Sequence, residues 1–126
     1  MEFPDDLKYS ENHAWIRVEG NQVTLGITAY AAEEMGEIVY VQVPDEGHEA
    51  EAGEAFGSIE STKAIEDLVA PVSGKVTRVN SDVVDAPETI NRDPYGEGWL
   101  VVLQASDVSE AEALMSAEEY REQTEA

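Results

Sequence analysis

The sequence predicts a mostly β domain, arranged as a small sandwich or barrel, with one short inserted helix and a helical C-terminal segment. Short runs of β type recur at regular spacing, and glycine and proline residues separate them, which is typical of sandwiches and barrels rather than of βαβ units. An acidic, alanine-rich pattern of helical type closes the chain. With 126 residues, the chain has the length of one domain.

The first half of the chain predicts a β-hairpin, a helix and a further strand. Two alternating runs on either side of the pair Gly20-Asn21 are typical of a hairpin. Thr28 is suited to cap a short helix, and Gly36 is suited to end it. The predicted bounds are 14–19 and 22–27 for the hairpin, 29–35 for the helix and 38–43 for the strand.

The second half of the chain predicts more strands and the helical end. The predicted strands cover residues 55–61, 64–70, 75–80 and 100–103. The helical segment covers about 107–124, and within it Ser116 and Glu119 have the spacing of a capping box. All of residues 1–126 are assigned to a single domain.

The composition excludes several classes of function. The chain has 28 acidic and 7 basic residues, a formal net charge of −21 and no cysteine. So strong a negative charge excludes nucleic acid and anionic membranes as partners, because both require a basic face. Without cysteine, disulfides, cysteine-based zinc sites and thiol chemistry are excluded, unless a cofactor brings the sulfur.

The acidic residues are spread along the whole chain and alternate with apolar ones, which favours a folded domain with a polyacidic surface. Such a surface is typical of a cytoplasm rich in salt, although an ordinary acidic protein remains the alternative. The N-terminal residues lack the basic and apolar parts of a signal peptide, and no apolar stretch has the length of a membrane span. We therefore expect a cytoplasmic protein.

Lys63 is the most informative single residue. Two predicted strands meet at Thr62-Lys63, which places the lysine at the tip of a hairpin, where a modifying enzyme could reach its amine. The alternative is an ordinary solvated turn lysine. The turn contains no glycine or asparagine to adopt a positive φ, which counts against a standard two-residue turn. His13 and His48 lack the spacing of metal ligands, so no metal site is expected.

Several ordered segments resemble those of the glycine cleavage system H protein family. The sequence Glu-Ser-Thr-Lys-Ala at 60–64, followed by Ala-Pro-Val-Ser-Gly at 70–74, is similar to the family's lipoyl-attachment segment. The stretch 91–100 is similar to the family pattern Asn-x-x-Pro-Tyr-x-x-Gly-Trp. Further matches lie at 26–31, 35–41, 44–47 and 79–80. The resemblance therefore spans nearly the whole chain.

The resemblance implies a lipoyl/biotinyl-type barrel-sandwich hybrid, with residues 1–126 as one lipoyl-carrier domain and lipoate in amide linkage to Lys63. The dithiolane of lipoate would supply the sulfur that the chain lacks. Extended, a lysyl-lipoyl arm would reach about 14 Å. Biotinyl domains share this fold but flank their lysine with methionines, so Thr62 and Ala64 argue against biotin.

The resemblance also implies partners. In the family, a pyridoxal-phosphate glycine decarboxylase (P protein) loads an aminomethyl group onto one sulfur and releases carbon dioxide. A folate-dependent aminomethyltransferase (T protein) removes the carbon unit and frees ammonia, and a flavin dihydrolipoamide dehydrogenase (L protein) reoxidises the dithiol. A lipoylating enzyme must first attach the lipoate. The protein would then be a monomeric carrier and not an enzyme.

One position departs from the family pattern. Where the family commonly has a glutamate near the first strand, this chain has Ala14. The loaded arm is expected to rest in a surface cleft, where a carboxylate pairs with its cationic amine. Asp67 is the first candidate for this carboxylate and Glu11 the second. Glu60 is a candidate for recognition by the lipoylating enzyme or a partner, and an exposed strand acid is the alternative.

Two other functions remain open. Ala14 gives weight to an H-like lipoyl protein that relays lipoate to 2-oxoacid dehydrogenases. In the third hypothesis the chain is a non-lipoylated interaction domain, and Lys63 is an ordinary turn residue. The mass of the protein separates this third hypothesis from the other two.

Overall fold

The computed structural model describes residues 3–125, which form nine strands and five short helices. The strands are β1 (Lys8–Tyr9), β2 (Ala14–Glu19), β3 (Gln22–Ile27), β4 (Ile38–Gln42), β5 (Glu49–Ala50), β6 (Ala55–Ser61), β7 (Ile65–Val69), β8 (Gly74–Val79) and β9 (Val101–Ala105). The helices are α1 (Ala29–Met35), α2 (Ser81–Asp85), α3 (Thr89–Arg92), α4 (Ser109–Glu112) and α5 (Ala117–Glu125). The predicted mostly β architecture is thus present.

The strands form two antiparallel sheets. One sheet has six strands in the order β1-β2-β3-β9-β8-β5, and the other has three in the order β4-β6-β7. A continuous buried cluster joins them, with Leu25 and Leu103 from the larger sheet and Val41 and Ile59 from the smaller one. Because burial of apolar surface is the main driving force of folding, this cluster fixes how the sheets face each other.

The predicted hairpin at 14–19 and 22–27 is confirmed as β2 and β3. Its register pairs Ile16 with Leu25 and Glu19 with Gln22, and Gly20 turns the chain with a φ of 64°. In β3 the apolar Val23 and Leu25 are buried and Gln22 is exposed, as the alternating pattern predicts. In β2 the alternation fails, because Ile16 packs in the core between the sheets and Trp15 in a second buried cluster, while Val18 is 39 % exposed.

The predicted helix at 29–35 is confirmed as α1. The side-chain oxygen of Thr28 accepts a hydrogen bond from the Ala31 N–H at 3.1 Å, and this bond caps the first turn. Gly36 ends the helix with a φ of 82°, and its N–H donates to the Ala32 carbonyl at 3.0 Å. The following strand, β4, stops at Gln42, one residue earlier than predicted.

The second half contains elements that the sequence patterns did not predict. The two-residue strands β1 and β5 and the short helices α2 and α3 have too few residues to show a periodicity. The predicted C-terminal segment consists of two helices, because Met115 between them pairs with Tyr9 as an isolated β-bridge. The predicted capping box is confirmed: Ser116 N–H donates to the Glu119 carboxylate at 2.9 Å, and Glu119 N–H donates to the Ser116 hydroxyl at 3.2 Å.

An aromatic cluster attaches the two ends of the chain to the larger sheet. The rings of Tyr9 and Tyr120 stack with centroids 4.8 Å apart, and Phe3 meets the Tyr120 ring edge-on at 5.0 Å. Trp15 of β2 is fully buried in the same cluster.

Of the single domain predicted over 1–126, residues 1, 2 and 126 lie outside the described part. Within residues 3–125, none of the helices has the length and apolar character to cross a membrane.

Candidate functional site

Lys63 lies exposed at the tip of the hairpin that β6 and β7 form. The two strands are in register up to Glu60 and Ile65, and the Ser61 N–H donates to the Ala64 carbonyl at 2.8 Å. Thr62 and Lys63 are the two residues between Ser61 and Ala64. The hairpin therefore presents the lysine amine at the end of the smaller sheet.

The Ser61 side chain explains how this turn forms without glycine or asparagine. Its hydroxyl oxygen accepts hydrogen bonds from the N–H groups of Lys63 and Ala64, at 3.2 and 3.0 Å. Apart from glycines, His13 is the one residue between 3 and 125 with a positive φ. The turn thus satisfies its backbone donors through a serine side chain rather than through a left-handed residue.

A surface cleft of about 540 Å³ opens between β7, α1 and the loop before β2. Its apolar lining consists of Ile27, Ala31, Met35, Ile59 and Val69. Lys63 lies outside this lining, but its side chain packs beside Gly36, the residue that follows Met35. The outer part of the Lys63 side chain thus lies beside the C-terminal end of α1, whose last residue, Met35, lines the cleft.

Four carboxylates line the rest of the cleft. Glu11 comes from the loop before β2, Glu34 from α1, and Glu66 and Asp67 from β7. Among residues 3–125 the one ion pair is the distant His48–Glu54 contact, so none of these four carboxylates has a cationic side chain as partner. The cleft thus combines apolar walls with a negative charge that can stabilise a bound cation.

Of the predicted site residues, the structure brings Asp67 and Glu11 to the cleft and places Glu60 elsewhere. Glu60 lies on β6, in register between Tyr40 of β4 and Ile65 of β7. Ala14, which replaces the glutamate of the family pattern, is 3 % exposed. Sequence reasoning missed Glu34 and Glu66, because solvated acidic positions are common in so acidic a chain and only the tertiary fold selects these two.

His13 also lines the cleft, although its position in the sequence predicts no function for it. Its Nδ1 lies 2.7 Å from the hydroxyl oxygen of Tyr120. Burial lowers the pKa of the His13 imidazole below its ordinary value, and the negative charges of Glu66 and Glu34 oppose this shift. The neutral imidazole is therefore favoured even though carboxylates surround it.

The Tyr120 hydroxyl connects His13 to α1. It lies 2.8 Å from the Thr28 side-chain oxygen, which caps α1. Burial raises the pKa of the Tyr120 hydroxyl to about 12, with the Thr28 hydrogen bond opposing the shift. The phenol thus stays protonated and joins the C-terminal helix to one wall of the cleft.

The segment that carries the Asn-x-x-Pro-Tyr pattern forms hydrogen bonds with β2 and with α1, the helix that lines the cleft. The Trp15 indole N–H donates to the Pro94 carbonyl at 2.9 Å, and the Tyr95 hydroxyl accepts a hydrogen bond from the Ala29 N–H at 3.1 Å. Trp99 packs under the guanidinium group of Arg78, 5.1 Å from its ring centroid. These aromatic residues pack the loop against the larger sheet and α1. In residues 3–125, no group of three His, Asp or Glu side chains has the arrangement of a metal site.

Two antiparallel sheets and a lysine at a hairpin tip define a class of protein, the carriers of lipoyl-type barrel-sandwich fold. The crystal structure of a glycine cleavage system H protein from Mycobacterium marinum superposes with a TM-score of 0.91 and 41% identity, covering 98% of this chain and 100% of that one. The family model described as "Glycine cleavage H-protein" matches residues 7–126.

Curated relatives agree with the structural match. The glycine cleavage system H protein of Halalkalibacterium halodurans is 52% identical over 119 residues, which cover 94% of this chain and 93% of the relative. The probable glycine cleavage system H protein of Haloarcula marismortui is 50% identical over 125 residues, which cover 99% and 98%. The chain belongs to the glycine cleavage H-protein family. The resemblance and the carrier role in glycine cleavage predicted from it are confirmed.

Proposed function

We propose that the protein carries lipoate in amide linkage on Nζ of Lys63 and shuttles the aminomethyl group of glycine on this arm. Residues 1–126 act as one lipoyl-carrier domain. The observation that supports the proposal most is the exposed Lys63 at the β6–β7 tip, next to a cleft with apolar walls and four carboxylates. The dithiolane of bound lipoate supplies the redox sulfur and the atom that takes up the aminomethyl group.

The cleft fits the chemistry of such an arm. An aliphatic chain of the length of lipoate is apolar, and Ile27, Met35 and Ile59 offer it apolar contacts. The aminomethyl group carries an amine that is cationic at neutral pH, and the carboxylates of the cleft can hold that charge. A volume of about 540 Å³ lies within the range of small-molecule sites.

The residues of the cleft then have separate roles. Asp67 and Glu11 pair with the cationic amine, and Glu34 and Glu66 add to the negative potential around it. The apolar lining keeps water away from the loaded sulfur, which slows hydrolysis. With Ala14 buried, the loop acid Glu11 takes the place of the missing glutamate.

The proposed partners are the glycine decarboxylase, the aminomethyltransferase, the dihydrolipoamide dehydrogenase and a lipoylating enzyme. The protein is a carrier subunit of this multienzyme system, and the reactions take place in the partners' active sites. Because one arm must serve several enzymes in turn, each contact has to be short-lived. We infer a monomer in the cytoplasm. Glu60, close to the hairpin tip, is proposed as a contact for the lipoylating enzyme.

Intact mass after incubation with a lipoylating enzyme and lipoate tests the cofactor. We expect an increment of about 188 Da, the mass of the lipoyl amide. The increment should disappear in Lys63→Arg and persist in Lys8→Arg and Lys75→Arg, which remove the other two lysines. An unmodified mass, or an increment that survives Lys63→Arg, would favour a non-lipoylated interaction domain or another attachment site.

Glycine-dependent exchange of carbon dioxide with the cognate decarboxylase tests the pathway. The lipoylated protein should support this exchange, and Lys63→Arg should abolish it. A second candidate function rests on Ala14: a lipoate relay to 2-oxoacid dehydrogenases. A lipoylated protein that gives no exchange but transfers its lipoyl group to such an enzyme would support the relay and refute the carrier role.

A further inference from the structure

The aliphatic part of Lys63 rests on Gly36. A Cβ atom built on Gly36 would lie 3.2 Å from Cε of Lys63, 3.8 Å from its Nζ and 3.9 Å from its Cδ. Although Lys63 is exposed, its side chain therefore crosses the polypeptide at the one position of α1's C-terminal end that has no side chain. Long cationic side chains commonly pack their methylene groups in this way while the amine stays in water.

The backbone around Gly36 is held from two sides. The Asn91 amide N–H donates to the Gly36 carbonyl at 2.9 Å, and the Asn91 amide oxygen accepts a hydrogen bond from the Ile38 N–H at 2.9 Å. Between these two bonds, the Glu37 carbonyl accepts a hydrogen bond from the N–H of Thr62, at the hairpin tip itself, at 3.1 Å. The three residues 36–38 are thus tied both to α3 and to the turn that bears Lys63.

This arrangement also relates Lys63 to the cleft. Gly36 directly follows Met35, and Met35, Glu34 and Ala31 line the cleft along α1. A lysine side chain that lies on Gly36 therefore starts from the end of the helix that forms one wall of the cleft. Nζ itself lies in water but only 3.8 Å from a Cβ atom built on Gly36, so groups attached to Nζ begin near the end of this helix.

We propose that Gly36 forms a packing site for the Lys63 side chain, here called the seat. Asn91 holds the backbone of the seat in place through its two hydrogen bonds. The seat directs the group on Nζ toward the cleft. Gly36 and Asn91 are positioning residues, since they act through the lysine. The last part rests on the proposed function, because it concerns the lipoyl arm. The seat itself belongs to the unmodified protein and can be tested there.

Substitution of Gly36 needs a matched control, because any side chain at a φ of 82° strains the backbone. Gly47 supplies it: its φ is 96°, and a Cβ atom there would meet nothing within 4 Å. Gly47→Ala therefore also places a side chain at a positive φ, but without touching a lysine. Asn91→Ala removes both amide hydrogen bonds without adding an atom near Lys63, and Asn21→Ala in the β2–β3 turn is its control.

The first measurement is the mobility of the lysine side chains in the unmodified protein, by NMR relaxation of their Cε groups. Cε of Lys63 should be more restricted than Cε of Lys8 and Lys75. Gly36→Ala and Asn91→Ala should reduce its order parameter to the level of the other two lysines, while the two control variants leave it unchanged. Equal mobility of the three lysines in the parent protein would refute the packing of Lys63 on Gly36. A Gly36→Ala variant with unchanged mobility of Lys63 would refute it as well.

The second measurement concerns the arm. In lipoylated and chemically reduced protein, a bulky maleimide should alkylate the dithiol at least about twofold faster in Gly36→Ala and Asn91→Ala than in the controls, because the arm spends less time in the cleft. Equal alkylation rates in all variants would refute the claim that the seat directs the arm toward the cleft, and would leave the result on lysine mobility unaffected. Absence of lipoate on Lys63 in the parent protein would instead refute the proposed function and leave the first measurement intact.

Discussion

The hydroxyl oxygen of Tyr120 lies 2.7 Å from Nδ1 of His13, although 107 residues separate the two in the sequence. One residue belongs to the C-terminal helix and the other lines the cleft. Through the same hydroxyl, the contact continues to Thr28 and thus to the first turn of α1. The C-terminal helix therefore takes part in the geometry of the cleft, and its removal would disturb more than the end of the chain.

Replacing Tyr120 by phenylalanine should destabilise the protein. The variant keeps the ring that stacks on Tyr9 but leaves His13 and the Thr28 hydroxyl without their shared partner. Loss of hydrogen bonds at a buried position costs about 1–3 kcal/mol. Urea denaturation measures the change in the free energy of unfolding. Tyr40→Phe removes an exposed hydroxyl and should stay within about 0.5 kcal/mol of the parent, and equal effects of the two variants would contradict this role of Tyr120.

His13 should make stability depend on pH below neutrality. Since the folded-state pKa lies below the ordinary value of 6.5, the unfolded chain binds the proton more readily. Stability should therefore fall as the pH decreases through about 6.5 and level off once the pH is below the folded-state pKa. Urea titrations between about pH 5 and pH 8 measure this slope.

A non-titrating variant isolates the contribution of His13 to this slope. His13→Asn suits the positive φ of 68° and should flatten the slope. The lowered pKa values of Glu54, Asp107 and Glu119 act in a separate range, because their ordinary values are 4.5, 3.8 and 4.5. A slope that survives His13→Asn would assign the effect to other groups.

Neutralising a cleft carboxylate should shorten the lifetime of the loaded arm. Asp67→Asn removes one charge that we propose to pair with the cationic amine. The aminomethyl group should then hydrolyse about two- to fivefold faster, which corresponds to a partly exposed ion pair of about 0.5–1 kcal/mol. The measurement is the release of ammonia and formaldehyde from purified loaded protein. Glu60→Gln is the charge-matched control, since Glu60 lies outside the cleft lining. An unchanged lifetime in Asp67→Asn would remove Asp67 from this role and direct the same test to Glu11 and Glu66.

Salt should stabilise the fold. The net charge is −21, and three of the cationic side chains stack on aromatic rings rather than pair with carboxylates. These pairs are Arg17 with Trp15, Arg78 with Trp99 and Arg121 with Phe3. Raising KCl from about 0.1 M to about 1 M shortens the Debye length from about 10 Å to about 3 Å and screens the repulsion.

We expect Tm to rise by about 5–10 °C over this range, equivalent to about 2 kcal/mol. A variant with the exposed acids Glu49, Glu51 and Glu118 replaced by glutamine should show a smaller rise. Full stability in dilute buffer, with no rise on adding KCl, would contradict this interpretation.

The sequence predicted those parts of the fold whose signals are local. Thr28 and Gly36 mark the ends of α1 through their own hydrogen-bonding and conformational preferences, and the capping box of Ser116 and Glu119 does the same for α5. The strand β1 escaped prediction because Lys8 and Tyr9 are in a strand only through their pairing with β2. Short elements of this kind depend on tertiary contacts that no local pattern encodes.

The residues of the candidate site also fall into two groups: those that the sequence predicts and those that only the tertiary fold brings together. Lys63 was predictable because the hairpin tip follows from two adjacent strands and the attachment motif follows from resemblance. The sequence predicts Asp67 as an arm contact because it follows the attachment turn, and Glu11 as a substitute for the acid missing at Ala14, and both line the cleft. Glu34, Glu66 and the His13–Tyr120 contact were not predictable, since each depends on the way α1, β7 and α5 come together in space.

The proposed arm is tethered at Lys63, beside the end of the helix that lines the cleft, and this tether has a consequence for how often the cleft is occupied. A flexible tether of this length gives its end an effective concentration on the order of millimolar near the cleft. Contacts with an intrinsic Kd of about 1 mM would therefore keep the cleft filled about half of the time. Tighter binding would withhold the arm from every partner alike, and looser binding would leave the loaded sulfur to water. For the proposed lipoyl arm, a weakly binding cleft is thus what a tethered cargo requires: a site that competes with the proposed partners' active sites and is outcompeted by each of them in turn.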